Sequence, residues 1–460
     1  MKLNDAEAGT ATRPVFSLLR STRTPWGEAT ALRDKRLRPG PGVPREQIAQ
    51  NQRERLYGAT VAVTTAKGYG ETTVADLIEV AGVSRTTFYR YFATKEECFL
   101  ATLDAILGPA EGITASNIRE GGSWDERAQH ALAALVDLIV AQPAAARLCL
   151  VEAYAAGPVA IARVDEALEG FRDLLAHILD QLPGRQGMPV EMTKAMTGSL
   201  RKIIHTRLYR HTESELVALI PQLVELGLGY LPPPRPLRGP GPRRWGPKEP
   251  GLVQHLDPAD RIERATMATV AAKGYRDTTI TDIATAAGTS LSTFYAHFDG
   301  KAEAFEAALY SARLRMLAVT LPVSRRARNW PEAVRDEVRA ALLFFESEPD
   351  FARLIAVEVY AAGNEALARR DVAIEAIQRS IEKGYKYAPE VSPIAGEAIA
   401  SSLYSMFSER VQAKGTRNLQ SIAPVATYLI LAPFLGAEGA CALANGEARS
   451  SPATAPSPSS

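Results

Sequence analysis

At 460 residues the chain is too long for one hydrophobic core, and two domain pairs are the natural expectation. Hydrophobic residues make up 46% and aromatic residues 7%, which suits an Ala- and Leu-rich helical protein; a formal net charge of +1 excludes little, because nucleic-acid binding depends on where charge sits. Cys98, Cys149 and Cys441 show no CxxC or Cys/His spacing, which argues against a disulfide framework or a zinc site and for buried or tail thiols in a reducing compartment. No apolar run approaches the ~20 residues of a membrane span, and no uninterrupted apolar segment at the N-terminus suits a signal peptide, so a cytoplasmic protein without membrane contact is expected.

Residues 1–44 read as a disordered basic arm rich in Pro, Gly and Arg. Lys2, Arg13, Arg20, Arg23, Arg33, Lys35, Arg36 and Arg38 outnumber Asp5, Glu7, Glu28 and Asp34. Such composition does not bury enough surface to order itself. Two readings stand side by side: an arm along DNA phosphates or in a minor groove, and a solvated tail.

From about Arg45 to Lys67, Ile48, Leu56, Ala59, Val63 and Ala66 predict a helix stopped by Gly68, with Tyr69 plugging the turn. Thr73 and Asp76, three residues apart, predict a capping box that starts a second helix with Ala75, Leu77, Ile78 and Ala81 inward. Gly82 supplies a left-handed turn, Val83 plugs it, and Ser84 caps a third helix containing Phe88. Lys95 then opens a longer helix through Phe99, Leu100, Leu103 and Ile106. Two short helices joined by a Gly-containing turn make a helix-turn-helix.

The whole pattern returns. Lys273-Gly274-Tyr275, Thr279 with Asp282, Gly288, Ser290, Phe294, Phe298 and Lys301 repeat every punctuation mark at an offset of 273 − 67 = 206, without a gap from Arg55/Arg261 to Lys95/Lys301. The chain is a duplication. At these residues both copies resemble the TetR family of bacterial transcription regulators, whose signature is Thr-Thr-x-x-x-Ile-Ala-x-x-Ala-Gly-Val-Ser-x-x-x-Leu/Phe-Tyr-x-His/Tyr-Phe-x-x-Lys. The match covers about 50 residues in each copy.

A helix in the major groove reads base edges with its first turns while hydroxyls, amides and lysines around it grip phosphates. In the first copy Arg85, Thr86, Thr87 and Arg90 are the candidate base or backbone contacts, and Ser84, Tyr89 and Tyr91 the candidate phosphate ligands. Lys95 adds charge at a helix N-terminus, and the resemblance adds Thr73. Phe88 and Phe92 read as core. In the second copy Thr279, Ser290, Ser292, Thr293, Tyr295, His297 and Lys301 are the corresponding candidates. Leu291 stands where Arg85 does, Ala296 replaces Arg90, and His297 replaces Tyr91. Losing two guanidiniums removes charge and any bidentate reading of guanine from those positions. Either the second reader takes a different half-site, or it has weakened into a partner for the first.

More than a hundred residues of helical periodicity follow each reader. Val151-Glu152-Ala153-Tyr154 and Val357-Glu358-Val359-Tyr360 keep the 206 offset, and Pro221/Pro424 show a later slip to 203. Glu152, Glu358, Tyr154 and Tyr360 line an effector pocket on one reading and a helix surface or satisfied core on the other. His205, Arg207, His211, Ser402, Tyr404 and Arg410 are too generic to name a ligand. Apolar closing helices (Leu216–Leu226 and Val425–Leu435) suit the dimerising four-helix bundle that the resemblance implies.

The predicted organisation is all-α: helix-turn-helix domains over 45–108 and 256–314, sensor and dimerisation domains over 109–230 and 315–436, a stiff Pro/Arg-rich linker over 231–255, and a disordered tail over 437–460. No P-loop, GxSxG, HExxH or dinucleotide fingerprint is present, so no enzyme, cofactor or metal is expected. The resemblance implies a DNA-binding regulator of double-stranded operators, acting as a repressor that responds to a small-molecule effector. Its two repeats pair within the chain or between chains as a homodimer. An assembly scaffold that binds no DNA is the alternative from another class.

Overall fold

The computed structural model describes residues 15–19, 22–38, 40, 42–116, 123–181, 184–239 and 257–447. Its described residues are helical apart from one two-stranded ribbon. In the first repeat α1 (Val15–Leu18) leads to the ribbon of β1 (Arg23–Thr24) and β2 (Gly27–Glu28). Then follow α2 (Arg45–Glu71), α3 (Val74–Ala81), α4 (Arg85–Tyr91), α5 (Lys95–Ser116), α6 (Trp124–Ala141) and α7 (Pro143–Arg147). A π-helical turn, Leu148–Glu152, joins α7 to α8 (Ala153–Ala156), and α9 (Pro158–Gln181), α10 (Val190–Tyr209) and α11 (Leu216–Gly229) close the repeat. The second repeat runs α12 (Pro258–Lys273), α13 (Ile280–Ala287), α14 (Leu291–His297), α15 (Lys301–Arg326), α16 (Trp330–Ser347), α17 (Pro349–Ala356), α18 (Asn364–Ile381), α19 (Ala395–Lys414) and α20 (Ala423–Ala444).

The chain divides into two compact units that do not follow the repeat boundary. One comprises residues 1–119, 131–170 and 207–215; the other takes 120–130, 171–206 and 216–460, so most of α10 and all of α11 go with the second repeat. In the first unit Leu56, Leu77, Val80, Phe88 and Phe92 build the reader's core, while Tyr69, Phe99, Leu103 and Leu148 build that of the adjoining sensor. The second unit repeats the reader core with Ile262, Ile283, Phe294 and Phe298, and holds a larger core around α16, α17, α19 and α20.

Met192, Ala195 and Tyr230 of the first repeat belong to that larger core. The Tyr230 hydroxyl donates to the Leu429 carbonyl at 2.8 Å, and the Tyr428 hydroxyl to the Leu231 carbonyl at 2.9 Å. Gly198 on α10 is required because a Cβ there would collide with the Ser405 side chain on α19. The Lys202 ammonium reaches Asp371 on α18 at 2.8 Å.

Three expectations need correction. The arm is not disordered over its described part: Val15, Leu19, Ala29 and Leu32 are buried against Leu56 and Leu77, and Trp26 packs on Tyr57 with ring centroids 5.4 Å apart. Asn51 fastens the following turn, accepting from the Leu37 amide and donating to the Lys35 carbonyl. A few well-spaced apolar residues order a segment whose average composition is polar. Lys2, Asp5, Glu7, Arg13 and Arg20 lie outside the described residues.

The start of the linker and the start of the tail are also packed. Arg235 pairs with Glu438 and Glu447, and Asn445 accepts from the Arg238 amide and donates to the Pro236 carbonyl. Helix α20 runs past Gly436 with Ala440, Cys441, Leu443 and Ala444 buried. Residues 240–256 and 448–460 lie outside the described residues. The third correction concerns apolar runs. Leu419–Ala444 is long and apolar enough to cross a membrane, with a mean hydropathy of 1.5, but 61% of it is buried among the helices of the second unit. It is the central core helix of that unit.

Leu32→Ala leaves a hole above Gly58 and is expected to lower the stability of the first reader by about 2–4 kcal/mol. Hydrogen exchange of the α2–α4 amides measures this; unchanged protection would restore the solvated-tail reading.

Candidate nucleic-acid interface

Each reader is assembled from local rules in sequence order. Helix α2 breaks at Gly68, whose φ of 79° favours glycine. Thr73 then caps α3: its hydroxyl accepts from the Asp76 amide at 3.2 Å, and the Asp76 carboxylate accepts from the Thr73 amide at 2.9 Å. Lys67 also reaches Asp76 at 2.9 Å. Burial raises the Asp76 carboxyl, but the Lys67 and Thr73 donors outweigh it and hold the group below the usual range. Gly82 ends α3 in the left-handed conformation (φ 60°, ψ 41°), and the Ser84 hydroxyl accepts from the Thr87 amide at 3.1 Å to start α4. Phe88, fully buried, pins α4 to the core.

The second reader repeats these devices with Gly274 (φ 85°), Thr279 with Asp282, Gly288 (φ 62°), Ser290 and Phe294. The Lys273 ammonium and Thr279 hold the exposed Asp282 carboxyl at about 2.

Most predicted contact residues share the exposed side of α4 or α14. Thr73, Ser84, Arg85, Thr86, Tyr89 and Arg90 are exposed, and Thr87 is half-buried against Ser84. Arg85 lies over the Tyr89 ring at 5.8 Å. Thr279, Ser290, Ser292, Tyr295 and His297 are exposed in the second reader, and Thr293 is half-buried beside Ser290.

Other predicted residues have structural duties. The Tyr91 hydroxyl donates to Gln52 at 2.8 Å, and the Arg53 guanidinium lies over its ring. Lys95 sends its ammonium back to the carbonyls of Tyr69 and Thr72, at 2.9 and 2.8 Å, and sits over the Tyr69 ring. Lys301 does the same at Tyr275 and Thr278. The two lysines fasten the turn between the first and second helices of each reader.

A model of the bacterial regulatory proteins of the tetR family matches residues 56–102 and 262–308, the two helix-turn-helix segments just described. The match covers 47 residues in each repeat, so what the chain shares with the family is its DNA-binding unit, present twice. The chain carries two TetR-type DNA-binding units and is a DNA-binding transcriptional regulator. The HTH-type transcriptional regulator TcmR of Streptomyces glaucescens is 37% identical over 67 residues, 15% of this chain and 29% of TcmR. The fatty acid metabolism regulator protein of Bacillus subtilis (strain 168) is 23% identical over 176 residues, 37% of this chain and 91% of that protein. Among solved structures, the fatty acid degradation regulator FadR of Bacillus halodurans matches with 21% identity and a TM-score of 0.35, over 39% of this chain and 98% of that one. FadR of B. subtilis, solved with stearoyl-CoA, matches with 21% identity and a TM-score of 0.34, over 38% and 96%.

Around the TetR-type units, sequence reasoning missed several residues. Arg55 is buried in the reader core and donates to the carbonyls of Ala81 and Gly82, at 2.7 and 3.2 Å, closing the C-terminus of α3. A lone arginine in an apolar helix stripe, repeated as Arg261, was the available signal. Glu152 was offered as a pocket residue or satisfied core, and it is the latter: its carboxylate accepts from the Tyr69 amide at 2.9 Å. Glu358 accepts from the Tyr275 amide at the same 2.9 Å and across the same separation of 83 residues. Burial raises the Glu152 carboxyl, opposed by the Tyr69 amide and Arg147.

For Asp282 the linkage sign follows from its lowered pKa. The unfolded carboxyl titrates near ~3.9, so the cap's contribution is complete above that value and disappears as pH falls through about 2. A carboxyl-resolved NMR titration is expected to place its midpoint near 2, and Lys273→Met to move it upward. A midpoint at the ordinary aspartate value would remove the ion pair from the cap.

Proposed function

We propose that this regulator is a cytoplasmic, ligand-responsive repressor whose two repeats pair within one chain as a pseudo-dimer and read an operator with two unlike half-sites. The reading rests chiefly on two neighbouring bonds in which Tyr230 donates to the Leu429 carbonyl and Tyr428 to the Leu231 carbonyl. They pack the end of one repeat's closing helix directly on that of the other within a single chain. The close approach of Gly198 to Ser405 supports the same pairing.

The unlike half-sites follow from the exposed faces of α4 and α14. Arg85 and Arg90 offer guanidiniums suited to guanine O6 and N7 or to phosphate. In their places Leu291, 45% exposed, and Ala296 offer only apolar surface. A leucine on a groove-facing helix suits the thymine methyl. Small-molecule response and repression are carried by the resemblance to TetR-type regulators; the sensor sequences alone do not name the effector.

Arg85→Ala is expected to weaken one half-site by about 1–3 kcal/mol and to lower the salt slope of operator binding by about 1. Equal losses on both halves of the operator would sink the unlike-half-site geometry. Light scattering of the dilute chain is expected to return a mass near 49.7 kDa without DNA, and the mass of one chain plus one duplex with operator DNA. Twice that mass would mean that the repeats pair between chains. Gly198→Leu provides a second check: it is expected to separate α10 from α19 and release apolar surface, so that the variant self-associates.

A further inference from the structure

The folded N-terminal segment is bonded, through two side chains of α2, to the turn from which α4 starts. Asn51 Oδ1 accepts from the Leu37 amide and from Arg55 Nε, both at 3.2 Å. Arg55 Nη1 donates in turn to the Ala81 carbonyl at 2.7 Å and to the Gly82 carbonyl at 3.2 Å. On the outside of the same turn, a Cβ built on Gly82 would lie 2.8 Å from the Arg33 side chain and 3.3 Å from its Cα. Burial, and then the charge of Arg36, lower the Arg55 pKa, so Arg36 also stands beside this helix end.

The second reader keeps the arginine without these contacts. Arg261 stands where Arg55 does, but its buried Nε has no hydrogen-bond partner. Asp257, in the place of Asn51, accepts from the Ala259 amide and caps α12. A Cβ on Gly288 would meet no described residue within 4 Å. In the first reader, residues 29–45 carry Arg33, Lys35, Arg36, Arg38 and Arg45 against one acid, Asp34. The Lys35 ammonium is committed to the Trp26 carbonyl at 2.6 Å. Arg36 and Arg38 are exposed, and neither is paired with an acid among the described residues. Asn51 holds the backbone on both sides of Arg36, through the Lys35 carbonyl at 3.0 Å and the Leu37 amide.

Exposed guanidiniums on a backbone already ordered bind anions without a further ordering cost. Three residues of chain span at most ~10 Å, so the Gly82 turn lies within that distance of Arg85. A duplex carries one phosphate charge per ~1.7 Å of its axis, so an element beside this turn meets phosphates next to the bases that α4 reaches. We propose that the N-terminal segment is a second DNA-contacting element of the first reader, in which Arg36 and Arg38 grip the phosphate backbone flanking the site read by α4. Such contacts fix register and orientation and carry no sequence information themselves. The first reader then holds a longer stretch of duplex than the second. The segment's role needs only the DNA-binding unit, and neither the pairing of the repeats nor a response to an effector.

The probe is a duplex that the full-length wild-type chain selects from a random-sequence pool, with binding followed by fluorescence anisotropy over a series of KCl concentrations. Arg36→Ala combined with Arg38→Ala is expected to weaken binding several-fold and to reduce the slope of log affinity against log salt by about 2. Selection repeated with that variant is expected to return the same sequence. Arg36→Lys with Arg38→Lys keeps both charges and is expected to keep the wild-type slope. Hydrogen exchange over α2–α4 checks that the reader itself is intact. Should the alanine pair loosen it, Arg36→Gln with Arg38→Gln, which keeps most of the side-chain length, provides the same readout. An unchanged slope in the neutral variants would overturn the proposal. A changed sequence preference, or a lysine pair that loses the slope, would overturn it as well, since either would mean that these arginines read bases or groove shape.

Discussion

One hydrogen bond, made twice, ties each reader to the helical domain that follows it. A glutamate at the bend of each sensor, Glu152 or Glu358, accepts from the backbone amide of the tyrosine that follows the left-handed glycine, Tyr69 or Tyr275. That amide sits at the end of the first reader helix, where no intrahelical acceptor serves it, and burying it unpaired would cost ~1–3 kcal/mol. The lysine from the next helix, Lys95 or Lys301, binds the carbonyls on the other side of the same turn. Between carboxylate and ammonium the turn has one conformation. It sets where Thr73 and Thr279 begin the second helix, and hence where α4 and α14 present their outer faces.

The duplication separates what the frame demands from what each copy is free to change. Glycines with positive φ, hydroxyl caps, buried phenylalanines and the glutamate–amide bond recur at one offset because each satisfies a backbone requirement that the fold imposes twice. Differences on exposed faces meet no such requirement: Arg85 against Leu291 and Arg90 against Ala296. Frame residues answer to the chain's own hydrogen bonds. Divergent residues answer to what lies outside it.

What was legible in the sequence was local. Capping boxes, the Gly82 and Gly288 turns, the plugs at Tyr69 and Val83 and the core residue Phe88 depend largely on neighbours close in the chain, and all are present in the structure. Partners far apart in the chain were not legible. Nothing near Lys95 announces that its ammonium turns back across 26 residues to Tyr69 rather than outward, and nothing near Glu152 announces an amide 83 residues away. The N-terminal arm misled for a related reason. Its average polarity hid Val15, Leu19 and Leu32, whose value comes from the apolar faces of α2 and α3 that they cover. The apolar length of α20 was likewise underestimated, because glycine and alanine within it lower the local signal while the helix remains central to the core.

If the two repeats pair within one chain, as proposed, less is asked of the second reader. Two readers on separate chains must each bind well enough to assemble on DNA at cellular concentration. Two readers on one chain meet at a concentration set by the connection, reaching the millimolar range for short flexible tethers. A reader lacking those two guanidiniums would then still contribute, because the first reader has already met the cost of bringing it to the duplex.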